Sequence, residues 1–251
     1  MRLTTRLGVL LSAIFGVAAA CAALAAPAAP QDATEGWRGE RRGDAGKDLN
    51  TIFFVDRKRG WAAGDGGTIV RTEDEGRTWS RQSVGTSEAV NDIYFLDKED
   101  GYLVAGNRIY VSADAGATWR ESANFPASNF GGAEPELYSV RFTSKKRGWI
   151  VGSLSRGENV IDSLVLSTDN GGASWQRQRV PVRDELIHLD FDGDRRGWVV
   201  GRGGVILRTD DGGSTWVQQE SNTRQHLYAL FFDKKVGFAV GGDGLVLRYE
   251  R

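Results

Sequence analysis

The sequence predicts an all-β fold: a five-bladed β-propeller of four-stranded antiparallel blades, its last blade closed by an N-terminal strand. Four observations carry this. A Gly-aromatic pair recurs five times, at Gly60-Trp61, Gly101-Tyr102, Gly148-Trp149, Gly197-Trp198 and Gly237-Phe238, in steps of 41, 47, 49 and 40 residues. Seven residues before each aromatic stands a phenylalanine: Phe54, Phe95, Phe142, Phe191 and Phe231. Two residues earlier stands an apolar side chain: Ile52, Ile93, Val140, Leu189 and Ala229. Finally, the polar stretch RTEDEGRTW at 71–79 returns as VSADAGATW at 111–119, STDNGGASW at 167–175 and RTDDGGSTW at 208–216. A fixed internal period of this length marks a repeat architecture.

Each unit has the same parts in the same order. In the first, 49–55 alternates like a half-buried strand, 56–60 is a polar turn, and 61–63 is a second short strand. The run GDGG at 64–67 is a tight turn whose glycines supply positive φ cheaply. A third strand spans 68–71, the quoted turn follows, and a fourth strand begins at Trp79. Four short antiparallel strands per unit describe a propeller blade.

The repeated turn joins strands three and four. Its hydroxyl and carboxylate positions are Thr72/Asp74, Ser112/Asp114, Thr168/Asn170 and Thr209/Asp211. Such short side chains accept hydrogen bonds from backbone N–H groups of their own turn. Gly76, Gly116, Gly172 and Gly213 permit the reversal, and Trp79, Trp119, Trp175 and Trp216 pack back over the hairpin. The pattern resembles the Asp-box, or bacterial neuraminidase repeat, with Asn170 the one departure at the carboxylate. That resemblance implies a structural role for these residues.

The fifth unit lacks a fourth strand before the chain stops at Arg251. An open ring leaves raw strand edges. Asp32 and Trp37 lie five residues apart, as Asp74 and Trp79 do, so the N-terminal segment is expected to seal the last blade. The alternative is an incomplete ring completed by a partner or a second copy. The domain reading is a leader over 1–25, a linker over 26–34 and one propeller domain over 35–251.

Arg2 and Arg6 precede an apolar run from Leu7 to Leu24, which reads as a secretory signal peptide. Three outcomes stay open: cleavage after Ala25, lipidation at Cys21 with the signal ending before it, or an uncleaved anchor. Each puts the fold outside the cytoplasm, in the periplasm or extracellular space. Cys21 is the only cysteine, so no intrachain disulfide forms.

The net charge of -1 argues against a nucleic-acid surface. Catalytic signals are weak. His188 and His226 are the only histidines and have no HxxxH or CxxC companions, so no metal site or cofactor is expected. The aspartates of DFDGDRRG at 190–197 lack the glycine and glutamate of a calcium loop. Sialidases carry Asp-boxes, but their early Arg-Ile-Pro motif is absent here, and Tyr94, Tyr102, Tyr110 and Tyr138 fall within strand repeats. The chain is therefore read as a non-enzyme.

Two surface features remain. The turns between strands one and two are basic in four units: Arg57-Lys58-Arg59, Lys145-Lys146-Arg147, Arg195-Arg196 and Lys234-Lys235. They share a face with the repeated turns, where symmetry would array a positive crescent. The opposite face receives two insertions, 121–137 and 153–162. Long loops on a rigid scaffold are where binding concentrates. Phe125 and Phe130 are read there as exposed aromatics, with Arg156, Glu158, Arg183, Arg202 and Arg224 supplying charge.

The units FFVDRKRGWAAGDGGTIVRTEDEGRTW and FDGDRRGWVVGRGGVILRTDDGGSTW resemble the photosystem II stability/assembly factor propellers, over residues 49 to 251. Members with that role are seven-bladed, non-enzymatic and lumenal or lipid-anchored, and they contact membrane-protein intermediates partly through arginines. The resemblance implies an exported, monomeric scaffold that binds a protein client at or near a membrane. The competing expectation is a carbohydrate-binding or glycosidase-type Asp-box propeller.

Overall fold

The computed structural model describes residues 47–233 and 236–250. The chain is a five-bladed β-propeller. Blade I holds β1 (Leu49–Phe54), β2 (Gly60–Gly64), β3 (Thr68–Thr72) and β4 (Ser80–Gln82). Blade II holds β5 (Val90–Phe95), β6 (Gly101–Ala105), β7 (Arg108–Ser112) and β8 (Arg120–Asn124). Blade III holds β9 (Glu134–Phe142), β10 (Gly148–Arg156), β11 (Asn159–Thr168) and β12 (Gln176–Arg177). Blade IV holds β13 (Leu186–Asp192), β14 (Arg196–Gly201), β15 (Ile206–Thr209) and β16 (Val217–Gln219). Blade V has three strands among the described residues: β17 (Leu227–Asp233), β18 (Val236–Gly241) and β19 (Val246–Glu250). Every blade is an antiparallel meander in chain order. The leader, Cys21, the linker and Trp37 lie outside the described residues, as do Lys234 and Lys235.

The recurring Gly-aromatic pair does two jobs at once. Phe54, Phe95, Phe142 and Phe191 stand cross-strand from Gly60, Gly101, Gly148 and Gly197, respectively. The phenylalanine ring lies over that glycine, and a Cβ there would come within 2.5–2.7 Å of a ring carbon. The aromatic after each glycine points toward the next blade and stacks on its phenylalanine: Trp61 on Phe95 at 3.8 Å, Tyr102 on Phe142 at 3.7 Å, Trp149 on Phe191 at 4.4 Å. Each junction thus gains a large buried surface plus a ring-pair term of about 0.5–1.5 kcal/mol.

Blade V corrects the sequence register by one residue. The seven-residue spacing selects Phe231, but Phe232 stands opposite Gly237 and stacks on Trp198 at 3.6 Å. Phe231 pairs with Phe238 instead. The turn between β17 and β18 is one residue shorter than in blade IV, and Leu230 takes the core position given to Ala229.

Four apolar clusters fill the four successive blade junctions. Beside them, first strands exchange polar contacts. The amides of Asn50 and Asn91 donate to Val90 O at 3.2 Å and Leu137 O at 2.8 Å. The carboxylate of Asp92 accepts from Ser139 Oγ at 2.8 Å, Val140 N at 3.1 Å and Arg141 Nη1 at 2.7 Å. Arg141 also meets His188 Nε2 at 3.0 Å. Burial holds the His188 pKa down to about 3, so the imidazole is neutral and accepts from Arg141. This buried network ties blades II, III and IV.

The repeated turn is a closed hydrogen-bonded clasp. Thr72 Oγ1 accepts from Gly76 N at 2.9 Å and donates to Asp74 Oδ1 at 2.9 Å. The Asp74 carboxylate accepts from Thr78 N at 2.8 Å and from Thr78 Oγ1 at 2.6 Å. Ser112, Asp114 and Thr118 repeat this, as do Thr209, Asp211 and Thr215. Asn170 keeps the shape with reversed polarity: its Oδ1 accepts from Ser174 N at 3.0 Å and its Nδ2 donates to Ser174 Oγ at 2.8 Å. Gly116 has φ +71°, and a Cβ there would meet the Trp61 ring at 2.6 Å. The clasp therefore also seats against the preceding blade.

Hydrogen bonds, first from the threonine side chains, pull Asp74, Asp114 and Asp211 from 3.8 to about 2. A depressed folded pKa gives stability that is full above the unfolded value and lost as pH falls through the folded one. The unfolding midpoint is therefore expected to drop between pH 4 and 2. Circular dichroism melts of the triple variant Asp74→Asn, Asp114→Asn, Asp211→Asn should show a smaller acid-induced drop, because amides do not titrate there.

Candidate functional site

The turns between the first and second strands do share a face with the clasps: Glu75 N donates to Lys58 O at 3.1 Å and Ala115 N to Glu99 O at 3.0 Å. The positive crescent expected there is largely neutralised. Arg59 pairs with Asp56 at 2.9 Å, Arg57 with Glu75 at 3.3 Å, and Lys145 with Asp100 at 2.7 Å. Arg196 pairs with Asp192, and Arg147 donates to Gly212 O at 2.9 Å while its guanidinium covers Trp149.

The opposite face collects the hairpins between second and third strands and the connections between blades. The two insertions meet there. Arg156, at the end of β10, donates to Gly131 O at 3.1 Å, with Gly157 and Glu158 exposed beside it. Phe130 closes a 3-10 turn over Ala127–Phe130 and is half-buried, with the Arg177 guanidinium 6.0 Å above its ring. Phe125 is not exposed: it is 7% accessible and sits edge-on to Trp175 in the core between blades II and III. The insertion folds back and buries its first aromatic, which corrects the expectation of an exposed ring at this position.

Two arrangements on this face bring charged groups together. The outer one is a groove of about 540 Å³ at the rim of blade III, lined by Asp162, Ser163 and the connection 177–183. It holds Arg183, expected from sequence, together with Arg177 and Arg179, which sequence reasoning misses. Arg177 pairs with Asp162 at 2.8 Å, whereas Arg179 and Arg183 have no carboxylate partner among the described residues. Beside the groove runs a strand edge with no partner strand over 159–164 among the described residues, where Ser163 N donates to Asp162 Oδ1 at 3.0 Å and Ser163 O accepts from Arg177 Nη2 at 3.3 Å. β11 has ten residues, but β12 pairs only with Leu166 and Ser167, and Gln178 N prolongs this by one bond to Val165 O at 2.8 Å. Ile161, on the unpaired stretch, is 39% exposed.

The inner arrangement lies on the first strands. Asn91 Nδ2 donates to the Glu136 carboxylate at 3.1 Å, and Tyr138 OH donates to Glu185 at 3.4 Å. Arg202 approaches Glu185 at 3.5 Å, which places this predicted arginine next to the central polar groups. Burial, then Glu88 and Glu185, push the Glu136 pKa up. Burial and Glu185 also push the Tyr138 hydroxyl up, the wrong direction for a nucleophile at neutral pH. Arg224 is exposed on the connection between blades IV and V, which packs on the turn carrying Arg202 through Gly203 N and His226 Nδ1 at 3.1 Å.

Residues 132–226 match the family model described as photosynthesis system II assembly factor YCF48. The chain is 33% identical over 169 residues to the chloroplastic photosystem II stability/assembly factor HCF136 of Oryza sativa subsp. japonica, covering 62% of this chain and 39% of that protein. It is 34% identical over 71 residues to the photosystem II assembly lipoprotein Ycf48 of a Synechococcus strain, covering 27% of this chain and 19% of that protein. These matches thus span about two fifths or less of the curated relatives. Among solved structures, an ancestral GH74 enzyme matches 82% of this chain and 28% of its own at TM-score 0.58 and 14% identity, which shows shared fold alone. Over these residues the chain is similar to photosystem II assembly factor propellers.

A raised carboxylate pKa means that folding disfavours the ionised form, a penalty present at high pH and absent below the unfolded value. Glu136→Gln is therefore expected to raise the thermal midpoint at neutral pH and to change it less at acid pH. Melts at both pH values check this. A lower midpoint at neutral pH would show that the Asn91 contact outweighs burial.

Proposed function

We propose that the chain is a non-catalytic scaffold that binds an extended segment of a protein client along the outer groove of blade III. The observation that carries this is the edge of β11, without a partner strand over 159–164 among the described residues, lying beside three arginines, two of them without a carboxylate partner among the described residues. A sheet edge offers main-chain hydrogen bonds, and flanking guanidinium groups select carboxylate-bearing partners. Phe130 and Arg156 extend the surface toward the neighbouring insertion. The similarity to assembly and stability factors supports a role of that kind. The N-terminal leader supports export and a client at a membrane surface, such as a membrane-protein assembly intermediate.

The variant Arg177→Ala, Arg179→Ala, Arg183→Ala should recover much less client in a pull-down from a membrane fraction. Removing each charged hydrogen bond costs about 1.5 kcal/mol, roughly tenfold in affinity. Amide exchange at 159–164 should slow on client binding. Unchanged recovery with unchanged exchange would move the site elsewhere.

A further inference from the structure

The edge of β11 is covered at one point by side chains instead of a strand. Every second residue of an antiparallel edge turns its N–H and C=O outward. Val165 is one such residue, and its carbonyl accepts from Gln178 N at 2.8 Å. Ser163, two residues earlier, is the next. By then the neighbouring chain has left the edge: residues 179–183 line the groove, and Pro181 has no N–H to give. Ser163 is only 2% exposed, so unpaired backbone groups there would be costly. Two side chains supply the partners. Asp162 Oδ1 accepts from Ser163 N at 3.0 Å, and Arg177 Nη2 donates to Ser163 O at 3.3 Å. The same arginine nitrogen meets Asp162 Oδ2 at 2.8 Å, which closes the pair on itself. Ser163 Oγ is held separately, donating to Asp184 O at 2.6 Å.

We infer that Asp162 and Arg177 form a latch on this edge, which must open before a client strand can pair at Ser163. The inference rests on the reading of that edge as the client site. A carboxylate and a guanidinium present the same acceptor and donor that a neighbouring strand would present. Latch and client therefore compete for the same two backbone groups. The side chains of Arg177 and Asp162 are 40% and 37% accessible, and an ion pair this exposed holds weakly. The latch thus opens readily. Once released, Arg177 can meet a client carboxylate in place of Asp162, so an acidic segment replaces both the backbone partners and the ion pair. While closed, the latch covers what is otherwise a template for pairing with other chains.

Two substitutions in the full chain test this. Asp162→Ala removes the acceptor on Ser163 N. Asp184→Ala removes an exposed carboxylate close by and leaves that acceptor in place. The Ser163 amide is followed by hydrogen exchange in NMR, corrected for the intrinsic rate of each sequence. It should exchange roughly tenfold faster in Asp162→Ala, through loss of one charge-assisted hydrogen bond, and at the unaltered rate in Asp184→Ala. The binding probe is an end-capped fluorescent peptide of alternating valine and glutamate, read by anisotropy. It should bind Asp162→Ala about two- to fivefold tighter than the unaltered chain, the range set by an exposed ion pair, and Asp184→Ala with little gain. Unchanged exchange at Ser163 would overturn the latch and leave the client site standing. Faster exchange with equal affinity in all three chains, or with an equal gain in both variants, would overturn the gating role. Faster exchange with no peptide bound by any chain would strike the client site itself, and the gate with it.

Discussion

The fold depends on a ring held over a glycine. In each blade the first-strand phenylalanine lies across a second strand that carries no Cβ at that point, and in blades I to IV the next residue of that strand packs on the phenylalanine of the following blade. The local constraint and the long-range contact are therefore one device. Removing the ring would open both the strand pair and the blade junction. The clasps add to this by seating on the same aromatics, as Gly116 does against Trp61. Polar contacts between first strands, above all Asp92 with Arg141, fix the relative height of neighbouring blades. An Arg–carboxylate pair buried this deeply adds little net stability over apolar packing, whereas removing one partner would leave an uncompensated buried charge.

Much of this is legible in the sequence because it is periodic. Four clasps, five Gly-aromatic pairs and the strand order all recur at matched offsets, and a repeat needs no knowledge of distant contacts. Legibility fails where a single unit departs. The period points to Phe231 and the fold uses Phe232, because a turn one residue shorter moves every later side chain by one register step. Asn170 resembles a missing carboxylate, but Ser174 accepts where Thr78 donates, so the clasp survives. The basic turns suggest a surface for anions, yet neutralising partners stand close by: Asp56 lies three residues before Arg59, and Asp100 lies one blade from Lys145.

The site is less legible for a different reason. Asn91, Glu136, Tyr138 and Glu185 come from three blades, and no spacing rule links them. Arg177 and Arg179 resemble ordinary outer-strand charge until the length of β11 shows that its edge is left open. The loop around Phe125 suggests a surface ring, whereas the insertion folds inward to bury it. Thus the repeat builds a rigid body that can be read in advance, while the insertions and the irregular third blade make the surface that distinguishes this chain. Functional argument has to rest on those departures.

The dependence on ring-over-glycine packing can be measured at one position. Gly197 lies opposite Phe191, and an added Cβ would stand 2.6 Å from its ring. At a tolerant site, glycine to alanine stabilises a fold by about 0.4–1 kcal/mol through the unfolded chain. Overpacking instead costs about 1–3 kcal/mol. Denaturant unfolding of Gly197→Ala should therefore show lower stability, with disruption of the Trp149–Phe191 stack visible in the aromatic circular dichroism. Unchanged or raised stability would contradict the account.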